Sequence, residues 1–152
     1  MLSTDTAPAG FAIDETTHTI RFVRDLDAPP ARVFAAWTEP EQIAQWWDAT
    51  GERLAACEID LRPGGAFRFA TSHHPDKPFT GVYREITPPT LLVFDANGAT
   101  GKVLLAERAS GTRMTVEIAC RSPDHLAQFV AMGIAAGTSR TLDNLAKHLA
   151  RA

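Results

Sequence analysis

The chain of 152 residues has little cysteine, no surplus of basic charge and no long apolar run. Its two cysteines, Cys57 and Cys120, have no C-x-x-C spacing, which excludes a disulfide scaffold. Both thiols sit in apolar, strand-like runs and read as small buried hydrophobes; spacing alone cannot say whether they meet. Fifteen basic side chains face eighteen acidic ones, for a formal net charge of −3. A nucleic-acid binder needs a basic stripe, and none is present. No run approaches the ~18 apolar residues of a membrane span, and no basic amphipathic helix appears, so membrane insertion is not expected. Met1 to Gly10 has neither the positive start nor the apolar stretch of a secretory leader, so a cytoplasmic, reduced protein is the expectation. There is no G-x-S-x-G elbow, Walker loop, G-x-G-x-x-G fingerprint or H-E-x-x-H pair. His73 and His74 are neighbours, would face opposite sides of a strand, and have no carboxylate at ligand spacing. No metal and no cofactor are therefore expected.

What is present describes one globular domain, with 45% hydrophobic and 22% charged residues. Residues 1–18 read as a loose arm with a short leading strand near Phe11–Ile13, and 19–152 as a single domain. Thr19 to Leu26 alternates and predicts a half-buried strand. Pro30 opens a helix whose Val33, Phe34 and Trp37 share a face. Thr38-Glu39-Pro40-Glu41 fits a capping box, and Ile43, Trp46 and Trp47 follow on a second short helix. From Arg53 to Arg121 strand-like runs alternate with turns at Pro63-Gly64-Gly65, Pro75, Pro88-Pro89, Asn97-Gly98 and Ser110-Gly111. Short turns between consecutive strands mean an antiparallel sheet.

Ser122-Pro123-Asp124 then starts a helix that no further proline stops before Arg151. At 1.5 Å per residue it spans roughly 42 Å. Leu126, Phe129, Val130, Gly133 and Gly137 cluster on one face; Thr141, Leu142, Leu145 and Leu149 form a face rotated from it. Two glycines inside a helix each cost about 1 kcal/mol relative to alanine. Close approach to the sheet would offset that, and so would room for a cavity. His125, in the first turn, is expected to be exposed.

The ordered motifs resemble a known family. Ala28-Pro29-Pro30-Ala31-Arg32-Val33-Phe34, Ala36-Trp37-Thr38-Glu39-Pro40 and Trp46-Trp47 carry the likeness first. Asp60-Leu61-Arg62-Pro63-Gly64-Gly65 with Phe67, Gly81-Val82-Tyr83-Arg84-Glu85-Ile86 and Gly111-Thr112-Arg113 follow, and Gly137 with Leu142-Asp143-Asn144-Leu145 closes it. Over residues 19–150 the chain is similar to the activator-of-heat-shock-protein-ATPase homologue branch of the SRPBCC superfamily, which is START-like and polyketide-cyclase-like. The resemblance implies an α+β helix-grip fold of the START or Bet v kind. A curved antiparallel sheet of six or seven strands wraps a long C-terminal helix, with two short helices after the first strand and a cavity between sheet and helix. One departure stands out. The family often has a tryptophan after the helix glycine, where this chain has Thr138.

On that fold Trp37, Trp46, Phe67, Phe69, Tyr83, Glu85, Phe94, Arg113, Phe129, Met132 and Gly133 are the candidate lining and ligand-binding residues. Plain core packing is the alternative for each aromatic. Tyr83 and Glu85 are two apart and share a face on a regular strand, so they are the candidate acid–base pair. A surface pair, or an ion pair of Glu85 with Arg113 or Arg68, is the alternative. Three functions follow. One is a binding protein for a small apolar or amphipathic molecule. The second is a cyclase, dehydratase or hydrolase using Tyr83 and Glu85. The third is a chaperone partner, disfavoured because the chain lacks the extra N-terminal domain of that activator. A homodimer through a sheet edge is also compatible with the pattern.

Overall fold

The computed structural model describes residues 10–150. Its elements, in order, are β1 (Ala12–Asp14), β2 (Thr19–Leu26), α1 (Pro30–Thr38), α2 (Pro40–Trp46), β3 (Ala56–Ile59), β4 (Ala66–Ala70), β5 (Phe79–Thr87), β6 (Leu91–Ala96), β7 (Ala99–Arg108), β8 (Gly111–Ala119), α3 (Pro123–Ala131) and α4 (Ile134–Ala150). The eight strands form one curved antiparallel sheet in the order β1-β2-β8-β7-β6-β5-β4-β3. This is the expected helix-grip architecture, with one or two strands more than anticipated. The short leading strand of the arm is β1, paired to β2 through Ala12–Arg21, Ile13–Ile20 and Asp14–Thr19.

Strands β3 to β8 are a meander. The single long connection, from β2 to β3, carries the chain to the far edge of the sheet, and α1 and α2 make the crossing. Both edge strands are short, which leaves few unpaired backbone groups on either edge. The β6–β7 hairpin turns on Asn97 (φ 54°) and Gly98 (φ 78°), the primed turn that its Asn-Gly sequence predicts. Cys120 follows β8 and Cys57 lies on β3, with β7, β6, β5 and β4 between them. At about 4.8 Å per strand that is too far for a disulfide, and both thiols are free.

The C-terminal segment departs from the expected single rod. It is two helices with a joint at Met132 and Gly133, and Gly133 has φ +79°. A left-handed residue ends α3, and glycine adopts that conformation without a Cβ penalty. The turn re-aims the axis, so the buried side chains Leu126 and Phe129 of α3 and Leu142, Leu145 and Leu149 of α4 all face inward. The rotated apolar faces in the sequence are therefore two helices rather than one slanting stripe.

Two local expectations also change. Thr38 does not cap α2: its hydroxyl donates back to the Phe34 carbonyl at 2.9 Å, and Glu39 is the N-cap. His125 is buried, not exposed. Its Nδ1 accepts from the Arg121 N–H at 3.0 Å, and its ring meets Phe129 at 4.5 Å between centroids. Ser122 does cap α3, accepting from the His125 N–H at 3.1 Å.

Helix α4 is tied to the α1–α2 segment by polar bonds as well as by packing. Thr141 Oγ1 donates to the Trp47 carbonyl (3.1 Å), and Asn144 Nδ2 to the Asp48 carbonyl (2.9 Å). Arg32 donates to the Leu149 carbonyl at 2.7 Å, satisfying a group that helix geometry leaves open at the C-terminus.

Candidate functional site: a cavity between sheet and C-terminal helices

The interior between sheet and helices is filled at one end and hollow at the other. The hollow is a cavity of about 430 Å³. Phe79 of β5, Phe94 and Ala96 of β6, Ala99 and Gly101 of β7, and Val116 and Ile118 of β8 form its sheet wall. Phe129 of α3 and Ile134, Gly137, Thr138, Thr141 and Leu142 of α4 form the opposite wall. Trp37 of α1 and the segment Trp47-Asp48-Ala49 after α2 complete it, with Thr71 and Asn97 from turns.

Local backbone chemistry explains the sheet wall. Gly101 has no Cβ, and the Phe94 ring lies over that position. A Cβ built there would stand 2.5 Å from the ring. Gly137 lets α4 pass the cavity with no side chain, and a Cβ there would meet only the end of Arg140, at 3.9 Å. Of the two glycines read from the sequence, Gly137 belongs to the cavity wall and Gly133 is the joint.

The filled end is aromatic. Phe67 contacts Phe69 (5.0 Å between centroids), Tyr83 (5.1 Å) and Phe94 (5.6 Å), and Trp47 contacts Phe69 (5.0 Å) and Phe79 (5.2 Å). The gap among Phe67, Phe69, Tyr83, Leu92 and their neighbours is about 10 Å³, too small for a guest. Trp46 is fully buried, and its indole N–H donates to the Ala36 carbonyl at 3.0 Å.

Of the residues singled out in the sequence, the structure brings Trp37, Phe94 and Phe129 to the cavity. Trp46, Phe67, Phe69 and Tyr83 are core residues behind it. Four others are placed elsewhere. Met132 is 73% exposed at the helix joint, and Gly133 beside it is exposed too. Arg113 lies on the outer face of the sheet, bonded to Asp25 at 2.9 and 3.2 Å. Arg113 and its neighbour Arg108 hold the Asp25 carboxyl below the usual range, the Arg113 hydrogen bond being the largest cause. Glu85 is exposed as well.

The Glu85 result has a definite cause. Between β5 and β6, Tyr83 pairs with Phe94 but Glu85 pairs with Val93, so β5 carries one extra residue at Arg84. A bulge breaks the period of two, and Tyr83 points inward while Glu85 does not. Burial, with a smaller contribution from Cys57, pushes the Tyr83 phenol well above its ordinary value. The acid–base pair is thus not assembled, and Tyr83 stays a neutral phenol at physiological pH. Arg68 pairs with Glu58 at 3.4 Å rather than with Glu85.

Sequence reasoning missed much of the wall. Val116 and Ile118 follow the inward alternation of β8, and Thr141 and Leu142 lie on the apolar stripe of α4, so periodicity carried a signal for them. Thr138 was visible as a departure from the family pattern. Asp48 had no signal. It is 94% buried by its 6% exposure, and it stands in the cavity wall. Its Oδ1 accepts from the Thr50 N–H (2.9 Å) and hydroxyl (2.8 Å). Its Oδ2 is buried with no hydrogen-bond partner.

Burial pushes the Cys57 thiol up to about 11, with Glu41 adding to the effect, and raises Cys120 as well. Neither is a poised nucleophile. No helix among the described residues is long and apolar enough to cross a membrane.

Comparison with known proteins agrees with this architecture. A protein from Nitrosomonas europaea has a solved structure with 25% identity and a TM-score of 0.81, covering 91% of this chain and 97% of its own. A protein from Rhodobacter sphaeroides shares the fold at 20% identity and a TM-score of 0.80, covering 93% and 97%. An AHSA1-like protein from Aeromonas hydrophila matches at 25% identity and a TM-score of 0.73, covering 88% and 92%. No curated protein matches the chain. The family model described as Activator of Hsp90 ATPase homolog 1-like protein matches residues 27–150, and with its motifs, strand order and helix grip in place the chain belongs to that family.

Proposed function

We propose that this protein binds a small apolar or amphipathic molecule in the cavity between the sheet and the C-terminal helices. One observation carries the reading: about 430 Å³ of space walled mainly by aromatic and aliphatic side chains. Ligand sites are typically ~300–1,000 Å³ with a few polar groups on an apolar wall. Trp37, Trp47, Phe79, Phe94 and Phe129 supply ring surface, and Thr138 and Thr141 supply hydroxyls. The Thr141 hydroxyl is already committed to the Trp47 carbonyl. The cavity survives because the helix wall offers Gly137 and Thr138 where larger side chains would fill it.

The neutral dye N-phenyl-1-naphthylamine tests this. Its fluorescence rises when it leaves water for an apolar site. The expected result is one saturable site per chain with a micromolar dissociation constant, which corresponds to about −8 kcal/mol. Thr138→Trp places a large ring in the wall and weakens the dye about tenfold or more, or ~1.4 kcal/mol. A dye that does not bind, or that binds equally well to a folded Thr138→Trp protein, refutes the cavity as the site.

A further inference from the structure

Most polar side chains of the cavity wall already have partners. The Thr141 hydroxyl donates to the Trp47 carbonyl, the Thr71 hydroxyl accepts from the His74 N–H at 3.2 Å, and Asp48 Oδ1 accepts twice from Thr50. Asn97 is exposed on the β6–β7 turn. Thr138 differs, because its hydroxyl makes no hydrogen bond among the described residues. A helical threonine can return its hydroxyl to the carbonyl one turn back, as Thr38 does to Phe34 at 2.9 Å, and Thr138 does not. Nor is this hydroxyl sealed: among the described residues, the buried side-chain atoms without a partner are His18 Nδ1 and Asp48 Oδ2. Helix phase shows where Thr138 faces. At ~100° per residue it lies midway between Ile134 and Leu142, which also line the cavity. The exposed positions of α4, Ala136, Arg140, Asp143 and Lys147, are turned roughly 140–180° away from it. The accessible surface of Thr138 is therefore cavity surface, and its hydroxyl is a free donor on an apolar wall.

Resting on the cavity-binding reading above, we infer that Thr138 is a specificity-determining residue: its hydroxyl donates to an uncharged oxygen acceptor on the guest, such as a ketone or ester carbonyl. A carbonyl taken from water into an apolar cavity loses its hydrogen bonds, and a donor on the wall restores one. A hydrocarbon of the same shape gains nothing from that donor. The rings and aliphatic groups around it hold the apolar body of the guest by buried area, which fixes no orientation. The single hydrogen bond does, setting the carbonyl against α4 and the apolar body toward the sheet. Thr138 acts here as a binding group, and no covalent bond is made or broken.

Two compounds of one shape test this by displacing N-phenyl-1-naphthylamine: 2-acetonaphthone, and 2-isopropenylnaphthalene, in which a CH₂ replaces the carbonyl oxygen. The readout is the ratio of their affinities, compared between proteins. Thr138→Val exchanges the hydroxyl for a methyl at nearly constant shape, and the ketone-to-hydrocarbon ratio is expected to fall about fivefold. Thr138→Ser keeps the hydroxyl and loses the methyl, and its ratio stays within about twofold of wild type. The carbonyl stretching band of the bound ketone lies below its apolar-solvent position in wild type and in Thr138→Ser, and returns to that position in Thr138→Val. A ratio unchanged in Thr138→Val, or one that falls equally in Thr138→Ser, overturns the inference. If the dye and both compounds still bind in that case, the cavity reading stands without the hydrogen bond. If the dye binds and neither compound displaces it, the inference alone fails; if the dye does not bind, both fail. Should Thr138→Val not fold, the carbonyl band in the wild-type protein decides, and a band at its apolar-solvent position overturns the inference.

Discussion

The two ends of the interior are built from the same layers and reach opposite results. At the β4–β5 end, inward strand positions carry Phe67, Phe69 and Tyr83, and Trp47, just after α2, packs against Phe69. At the β7–β8 end, inward positions carry Ala99, Gly101, Val116 and Ile118, and the helix opposite presents Gly137 and Thr138. Large rings interdigitate and leave about 10 Å³; small residues facing small residues leave about 430 Å³. Interiors close-pack wherever side chains can reach one another. The hollow therefore arises because both facing surfaces are thinned at the same place, and not because the protein is short of aromatic rings.

The contrast can be broken from the solid side first. Phe67→Ala removes a ring that touches four others, and the expected loss is about 3–5 kcal/mol of stability, measured by urea unfolding. A loss under ~1 kcal/mol would mean that this end is not the packed half. The hollow side responds with the opposite sign. Gly137→Ala adds a methyl where space exists on a helix, and the expected gain is about 0.5–1 kcal/mol by the same measurement. A destabilised Gly137→Ala protein would show that the helix wall already touches the sheet.

The smallest effect belongs to the outer face, which takes part in neither region. Asp25→Asn breaks the pairs with Arg108 and Arg113, and these are half-exposed, so the expected loss at pH 7 is under about 1 kcal/mol. The folded-state pKa of Asp25 is depressed, so its contribution is present above the unfolded carboxylate value and is lost as pH falls through the folded value. The stability gap between wild type and variant should therefore close in the acid range below about pH 4 and stay constant above about pH 5. Unfolding curves at stepped pH check this.

The fold was legible because its signals are local. Asn97-Gly98 specifies its hairpin, Pro63-Gly64-Gly65 its turn, and Ser122-Pro123 its helix start, each through backbone preferences of a few residues. The joint at Gly133 was half legible. Its two rotated apolar faces stood in the sequence, but a single curved helix would produce the same pattern. The site was less legible. Trp37, Phe94 and Phe129 could be picked out as large inward residues, but so could Trp46, Phe67 and Phe69, which pack solidly. Residue size does not say which rings border empty space, since that depends on what stands across from them.

Chain order, strand pattern, turns and family membership follow from the linear sequence, because each depends on neighbours a few positions apart or on motifs in a set order. Three features were decided only in three dimensions. The bulge at Arg84 turned Glu85 away from Tyr83, because strand register depends on the partner strand. The place of the cavity depended on which small residues of α4 came to face which small residues of β7 and β8. The environment of Asp48 depended on a helix nearly a hundred residues later, whose Asn144 holds its carbonyl while its Oδ2 remains unpaired. Each is a contact between segments distant in the chain, and local conformational preference carries no information about it.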